Sequence, residues 1–81
     1  MPSDASFTAL ITAIRGIQPD LVDRPIARDD SMAELGLDSV DRAEVLLLAM
    51  DSLGITAPIT RFHGAPNIGE LADMLDANRT V

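Results

Sequence analysis

A chain of 81 residues has room for one domain with a modest core, and none for two lobes or a deep substrate cavity. Hydrophobic residues make up 47% and aromatics only 2%, so the core must be built from Leu, Ile, Val, Ala and Met, which favours a small helical bundle over a β-sandwich. Thirteen acidic residues against six arginines and no lysine give a formal net charge of −7, which excludes a nucleic-acid partner, and zero cysteines exclude disulfides, thiolate metal sites and a cysteine nucleophile.

In chain order, Phe7, Leu10, Ile11 and Ile14 mark one face of a first helix, with Ser3 or Asp4 as its cap and Gly16 as its stop. Its other face carries Thr8, Thr12 and Arg15 and is assigned a structural role. Residues 17–38 then form a long connection punctuated by Pro19 and Pro25, with Leu21, Val22, Ile26 and Leu35 as the expected anchors. Ser31 and Glu34 have the spacing of a capping box, so a short helical turn is expected ahead of Gly36. The acids of this connection do not form a calcium loop, because Pro25, Ala27 and Arg28 stand where an EF-hand needs oxygen ligands or glycine. No metal site is expected anywhere.

The second long helix runs from Ser39 or Val40 to Leu53, with Gly54 as its stop. Ala43, Leu46, Met50 and Leu53 make the stripe expected to face the core. Val40, Leu47 and Leu48 are left as an apolar strip at or near the surface, flanked by Asp38, Asp41, Glu44 and Asp51. Pro58 to Gly64 fits a short third helix or turn. Its His63 is the only histidine and has no second imidazole or nucleophile nearby in sequence, so no catalytic residue is assigned. Asn67 and Glu70 open a last helix reaching about Asn78, whose buried face is Ile68, Leu71 and Leu75 with Ala72 or Met74. Asp73, Asp76 and Glu70 are expected to face water, and residues 79–81 to fray. The fold expected is all-α: a small four-helix bundle with a long first loop and a short third helix, one domain over residues 1–81 with its core at about 4–78. The longest apolar run, residues 45–50, is far short of a membrane span, so the chain is expected to be soluble, cytoplasmic and monomeric. A start at Met1 suggests a free-standing chain, a domain cut from a larger synthase being the alternative.

The chemistry concentrates at Gly36-Leu37-Asp38-Ser39-Val40-Asp41, where the connection meets the second helix. A serine beside a carboxylate at a helix start is first an N-cap, its hydroxyl accepting a bond from a first-turn N–H. The same hydroxyl, near backbone N–H groups and the positive end of the helix dipole, is also well placed to carry a phosphate ester.

This motif resembles the prosthetic-group attachment site of acyl carrier proteins, and the order of elements from about Phe7 to Leu75 resembles theirs over nearly the whole chain. The resemblance implies that a phosphopantetheinyl transferase esterifies Ser39 with 4'-phosphopantetheine from coenzyme A, Asp38 being the flanking motif residue. The imported thiol then holds acyl groups as thioesters. It also implies docking through Val40, Asp41, Arg42, Glu44, Leu47 and Asp51 to acyl-transferring or condensing enzymes, ketosynthase-like or hydroxymethylglutaryl-CoA-synthase-like. Gly36-Leu37 in place of a Gly-Gly pair favours acyl over aminoacyl cargo. Arg42, the apolar run at 45–50 and the lack of any acid from Ser52 to Asn67 depart from the fatty-acid pattern. Ser39-Val40-Asp41-Arg42-Ala43-Glu44 with Asn67-Ile68-Gly69-Glu70-Leu71 is similar to the discrete donor carriers of polyketide β-branching cassettes, which deliver an acetyl unit to a hydroxymethylglutaryl-CoA-synthase homologue. A fatty-acid-type carrier is the alternative within the class. Outside it stands a small acidic interaction module in which Ser39 only caps a helix.

Overall fold

A computed structural model describes residues 4–79, and all secondary structure among them is helical. Three α-helices, α1 (Asp4–Ile17), α2 (Ser39–Leu53) and α3 (Ile68–Ala77), are joined by connections that contain two 3₁₀ segments, Pro19–Leu21 and Ile59–Phe62. The short third helix expected from the sequence is thus a 3₁₀ turn. Pro58 opens it and Gly64 and Pro66 follow within a few residues, leaving no length for the i→i−4 bonds of an α-helix.

Helix α1 packs against both α2 and α3. Leu10, Ala13 and Ile14 of α1 meet Val45, Leu46, Ala49 and Met50 of α2 and Ile68, Leu71, Ala72 and Leu75 of α3 in one continuous core. Phe7 and Ile11 lie at its margin. Gly16 does not end α1, which continues to Ile17. The Gln18 N–H still donates to the Ile14 carbonyl at 2.8 Å, and Pro19, with no N–H to give, is the physical stop. Asp4 is already helical, and Ser3, the other cap candidate, lies outside the described residues.

The long connection is pinned at intervals. Arg15 reaches from α1 to the carbonyls of Leu21 (3.3 Å) and Arg24 (3.0 Å). Ile26 is buried and Leu21 and Leu35 are partly so, but Val22 is 60% exposed and anchors nothing. Near its middle, Arg28 and Asp30 turn their carbonyls onto the open end of α3: the Gly69 N–H donates to Arg28 O (2.7 Å) and the Ile68 N–H to Asp30 O (2.9 Å). Two of the helix's orphan donors are satisfied there, while Asn67 Oδ1 accepts from the Glu70 N–H at 2.7 Å. Arg28 also donates to Gly69 O (3.1 Å) and Asp73 Oδ2 (2.9 Å) and lies over the Phe7 ring. Asp73 is therefore exposed but paired. Asp76 pairs with Arg79 at 3.4 Å, which ties down the first residue of the expected tail; Thr80 and Val81 lie outside the described residues.

Candidate functional site

The site is set up by the turn before α2. Ser31 Oγ accepts the Glu34 N–H at 3.1 Å, opening the short turn that the capping-box spacing predicted. Its end is a Schellman closure: the Gly36 N–H donates to Ala33 O and the Leu37 N–H to Met32 O, both at 3.1 Å, with Gly36 at φ 95°. That left-handed residue reverses the chain so that Leu37, 3% exposed, drops into the core and Asp38 and Ser39 emerge at the surface. A single buried residue in a loop such as Leu37 has no period in the sequence to announce it. A second closure of the same kind at Gly54 (φ 70°) ends α2, the buried Ile55 donating to Met50 O at 2.9 Å.

At the mouth of α2 the expected cap is corrected. Asp38, not Ser39, is the N-cap: its backbone is extended and its carboxylate accepts the Asp41 N–H at 2.8 Å. Ser39 is the first helical residue, exposed, with its hydroxyl outside the capping bond. Cap and candidate attachment point are adjacent residues, and each is free to serve one purpose. An exposed hydroxyl on the first turn of a 15-residue helix, where the dipole favours an anion, fits the phosphate end of a phosphopantetheine arm.

The remaining predicted residues divide between two sides of α2. Val40 (74% exposed), Leu47 (55%) and Leu48 (49%) form the apolar strip, with Glu44 and Asp51 exposed beside it. At about 100° per residue, Val40, Glu44, Leu47 and Asp51 fall within one narrow sector of the helix. Asp41 lies about 90° from the centre of that sector, next to Leu48. Arg42 projects to the opposite side, about 160° to 180° from the centre of that sector. It is partly buried and lines a cleft together with Ser39.

That cleft, about 730 Å³, is open to solvent and so is not the deep cavity that the chain length excludes. Ala43 and Leu46 of α2 form one wall, Ile68 and Leu71 of α3 the other, and Phe62 and Met32 add apolar surface. It exists because α2 and α3 are both held by α1 and by the Ile59–Phe62 turn rather than packed broadly on each other. His63 also lines it.

Comparison with known proteins agrees with this geometry. Residues 7–75 match the family model described as a phosphopantetheine attachment site. The chain is 39% identical over 75 residues to the polyketide biosynthesis acyl-carrier-protein AcpK of Bacillus subtilis (strain 168), covering 93% of this chain and 92% of that one. It also superposes on a chain of the crystal structure of the curacin biosynthetic pathway HMG synthase in complex with acetyl donor-ACP. There the TM-score is 0.91 and the identity 39%, over 95% of this chain and 99% of the other.

Proposed function

This chain belongs to the phosphopantetheine attachment-site family of acyl carrier proteins, and on that premise we propose that it donates an acetyl unit to a hydroxymethylglutaryl-CoA-synthase-like enzyme in polyketide β-branching. Ser39 is the attachment residue in this reading. The observation that carries it is the separation of duties at the start of α2, where Asp38 does the capping and leaves an exposed serine hydroxyl on the first turn. When attached, 4'-phosphopantetheine supplies the thiol that a cysteine-free chain lacks and holds acyl groups as thioesters.

The chain's own residues hold the attachment point and offer a landing surface. Gly36 turns the backbone, Leu37 anchors it, and Asp38 fixes the first turn, so the Ser39 hydroxyl is presented on a rigid element rather than a loop. Val40 and Leu47 then offer a small apolar contact ringed by Asp41, Glu44 and Asp51. A carrier must dock with a phosphopantetheinyl transferase, a loading enzyme and an acceptor in turn and leave each. Charge steering with a small apolar contact suits that better than a large dry interface. The family is one of carriers rather than catalysts, and no helix among the described residues is long and apolar enough to cross a membrane. In this reading the chain works as a cytoplasmic monomer.

The test is incubation with coenzyme A, magnesium and a permissive phosphopantetheinyl transferase, followed by intact-mass measurement of wild type and Ser39→Ala. A gain equal to one phosphopantetheine in the wild type alone is the expected result. No gain in the wild type, or an equal gain in the variant, removes Ser39 from its role. The donor assignment is tested separately, by offering the acetyl-loaded chain to a β-branching synthase beside a fatty-acid carrier; equal use of the two overturns it.

A further inference from the structure

Arg42 has no role on the docking face, because it points away from Val40 and Leu47, and no carboxylate pairs with it among the described residues. By contrast Arg15, Arg28, Arg61 and Arg79 each bond to a carbonyl or to a carboxylate or amide side chain. Arg42 lies three residues after Ser39, a spacing that puts Cβ atoms about 5–6 Å apart along a helix, and both residues line the cleft between α2 and α3. A phosphodiester on Ser39 is an anion set between Asp38 and Asp41 in a chain already at −7. The helix dipole offsets part of that repulsion, and a guanidinium one turn away is the available countercharge.

We propose that Arg42 is a positioning residue for the chain's own prosthetic arm: its guanidinium pairs with the phosphodiester on Ser39 and draws the arm to the cleft side of α2, leaving the Val40 and Leu47 face uncovered for a partner. This rests on the attachment reading above. It assigns Arg42 to the arm instead of to the synthase, and so accounts for a cation in the first turns of an otherwise acidic helix.

The experiment compares ¹H–¹⁵N spectra of apo and holo protein for wild type, Arg42→Ala and Arg42→Lys, with loading checked by intact mass. In the wild type, attachment is expected to shift the Arg42 Nε–H signal and the amides of His63 and Ile68 across the cleft, besides those of Ser39 to Asp41. Arg42→Ala should keep the first-turn shifts and lose at least half of the cleft shifts, and Arg42→Lys should restore part of them. Because each variant is read against its own apo spectrum, a purely structural effect of the substitution cancels. If Arg42→Ala does not fold, the wild-type Nε–H shift and its decline with added salt decide alone. A loaded wild type whose shifts stop at Asp41, or a loaded Arg42→Ala that keeps the cleft shifts, overturns the role of Arg42 and leaves attachment intact. Absence of the mass gain overturns attachment, and this inference with it.

Discussion

The Asp38 carboxylate accepts the backbone N–H of Asp41 at 2.8 Å, and that bond separates capping from chemistry at the start of α2. If Asp38 is the cap, Asp38→Ala removes it and should cost about 1 kcal/mol of stability, the usual effect of deleting an N-cap. Ser39→Ala, on an exposed first-turn residue, should stay within about 0.5 kcal/mol of wild type. Urea denaturation of the two variants side by side checks this. A larger loss for Ser39→Ala would return the capping role to Ser39, as an interaction module with no prosthetic group requires.

Exposed and buried leucines of α2 should part company in the same way. Leu46 is 5% exposed and sits in the core, whereas Leu47 is 55% exposed. Leu46→Ala should therefore lose about 2–5 kcal/mol of stability. Leu47→Ala should unfold with the wild type yet bind a hydroxymethylglutaryl-CoA-synthase-like enzyme, the proposed partner, about tenfold more weakly, the equivalent of about 1.4 kcal/mol. Thermal unfolding reads the first effect and calorimetric titration with the synthase the second. Wild-type affinity in Leu47→Ala would move the docking surface elsewhere.

Much of this division is legible in the sequence, and the failures have physical reasons. Periodicity places α1, α2 and α3 because each pairs an apolar stripe with polar residues, although only α2 ends at the glycine its sequence marks as a stop. The run at residues 45–50 is apolar on every side, so its phase is blurred. Val45 and Ala49 are fully buried and lie outside the stripe that spacing picks out, while Ala43 and Leu53 within that stripe are only partly buried. Val22 and Leu37 exchange roles for a related reason: loop residues are buried by tertiary turns such as the one at Gly36, which hydrophobicity alone does not encode. Asp38 and Ser39 are both good caps by residue type, and only the backbone geometry chooses between them. The opposite orientation of Arg42, by contrast, follows from counting 100° per residue, a step that grouping it with its sequence neighbours passes over.

Charge around the proposed docking face gives a prediction about salt. Asp41, Glu44 and Asp51 border the apolar strip, and exposed charges steer partners over distances comparable to the Debye length. That length falls from about 10 Å at 0.1 M to about 3 Å at 1 M salt. The association rate with a synthase, followed by stopped flow, should drop at least tenfold across that range, while dissociation changes little. The combined variant Asp41→Asn, Glu44→Gln, Asp51→Asn should flatten the dependence. An association rate indifferent to salt in the wild type would rule out steering by these three residues.

Two helical glycines should respond to alanine with opposite signs. Gly16 lies exposed within the last turn of α1, and a methyl group there meets nothing within 4 Å. Gly16→Ala limits the unfolded chain without straining the folded one, so it should stabilise by about 0.5–1 kcal/mol. Gly69 is buried where the first connection crosses α3. A Cβ there would stand 2.7 Å from Arg28 Cβ and 3.0 Å from the Arg28 carbonyl oxygen, which the Gly69 N–H already holds at 2.7 Å. The Arg28 segment must move away, weakening both that bond and the one from Arg28 to Gly69 O, and overpacking of this kind costs about 1–3 kcal/mol. Part of the ion pair to Asp73 would loosen too, at little further cost, since both partners are about half exposed. Denaturation midpoints for the two variants, with hydrogen exchange at Ile68 and Gly69, read the contrast directly. Gly69→Ala with wild-type stability and unchanged protection of those two amides would mean that the connection does not clamp the start of α3.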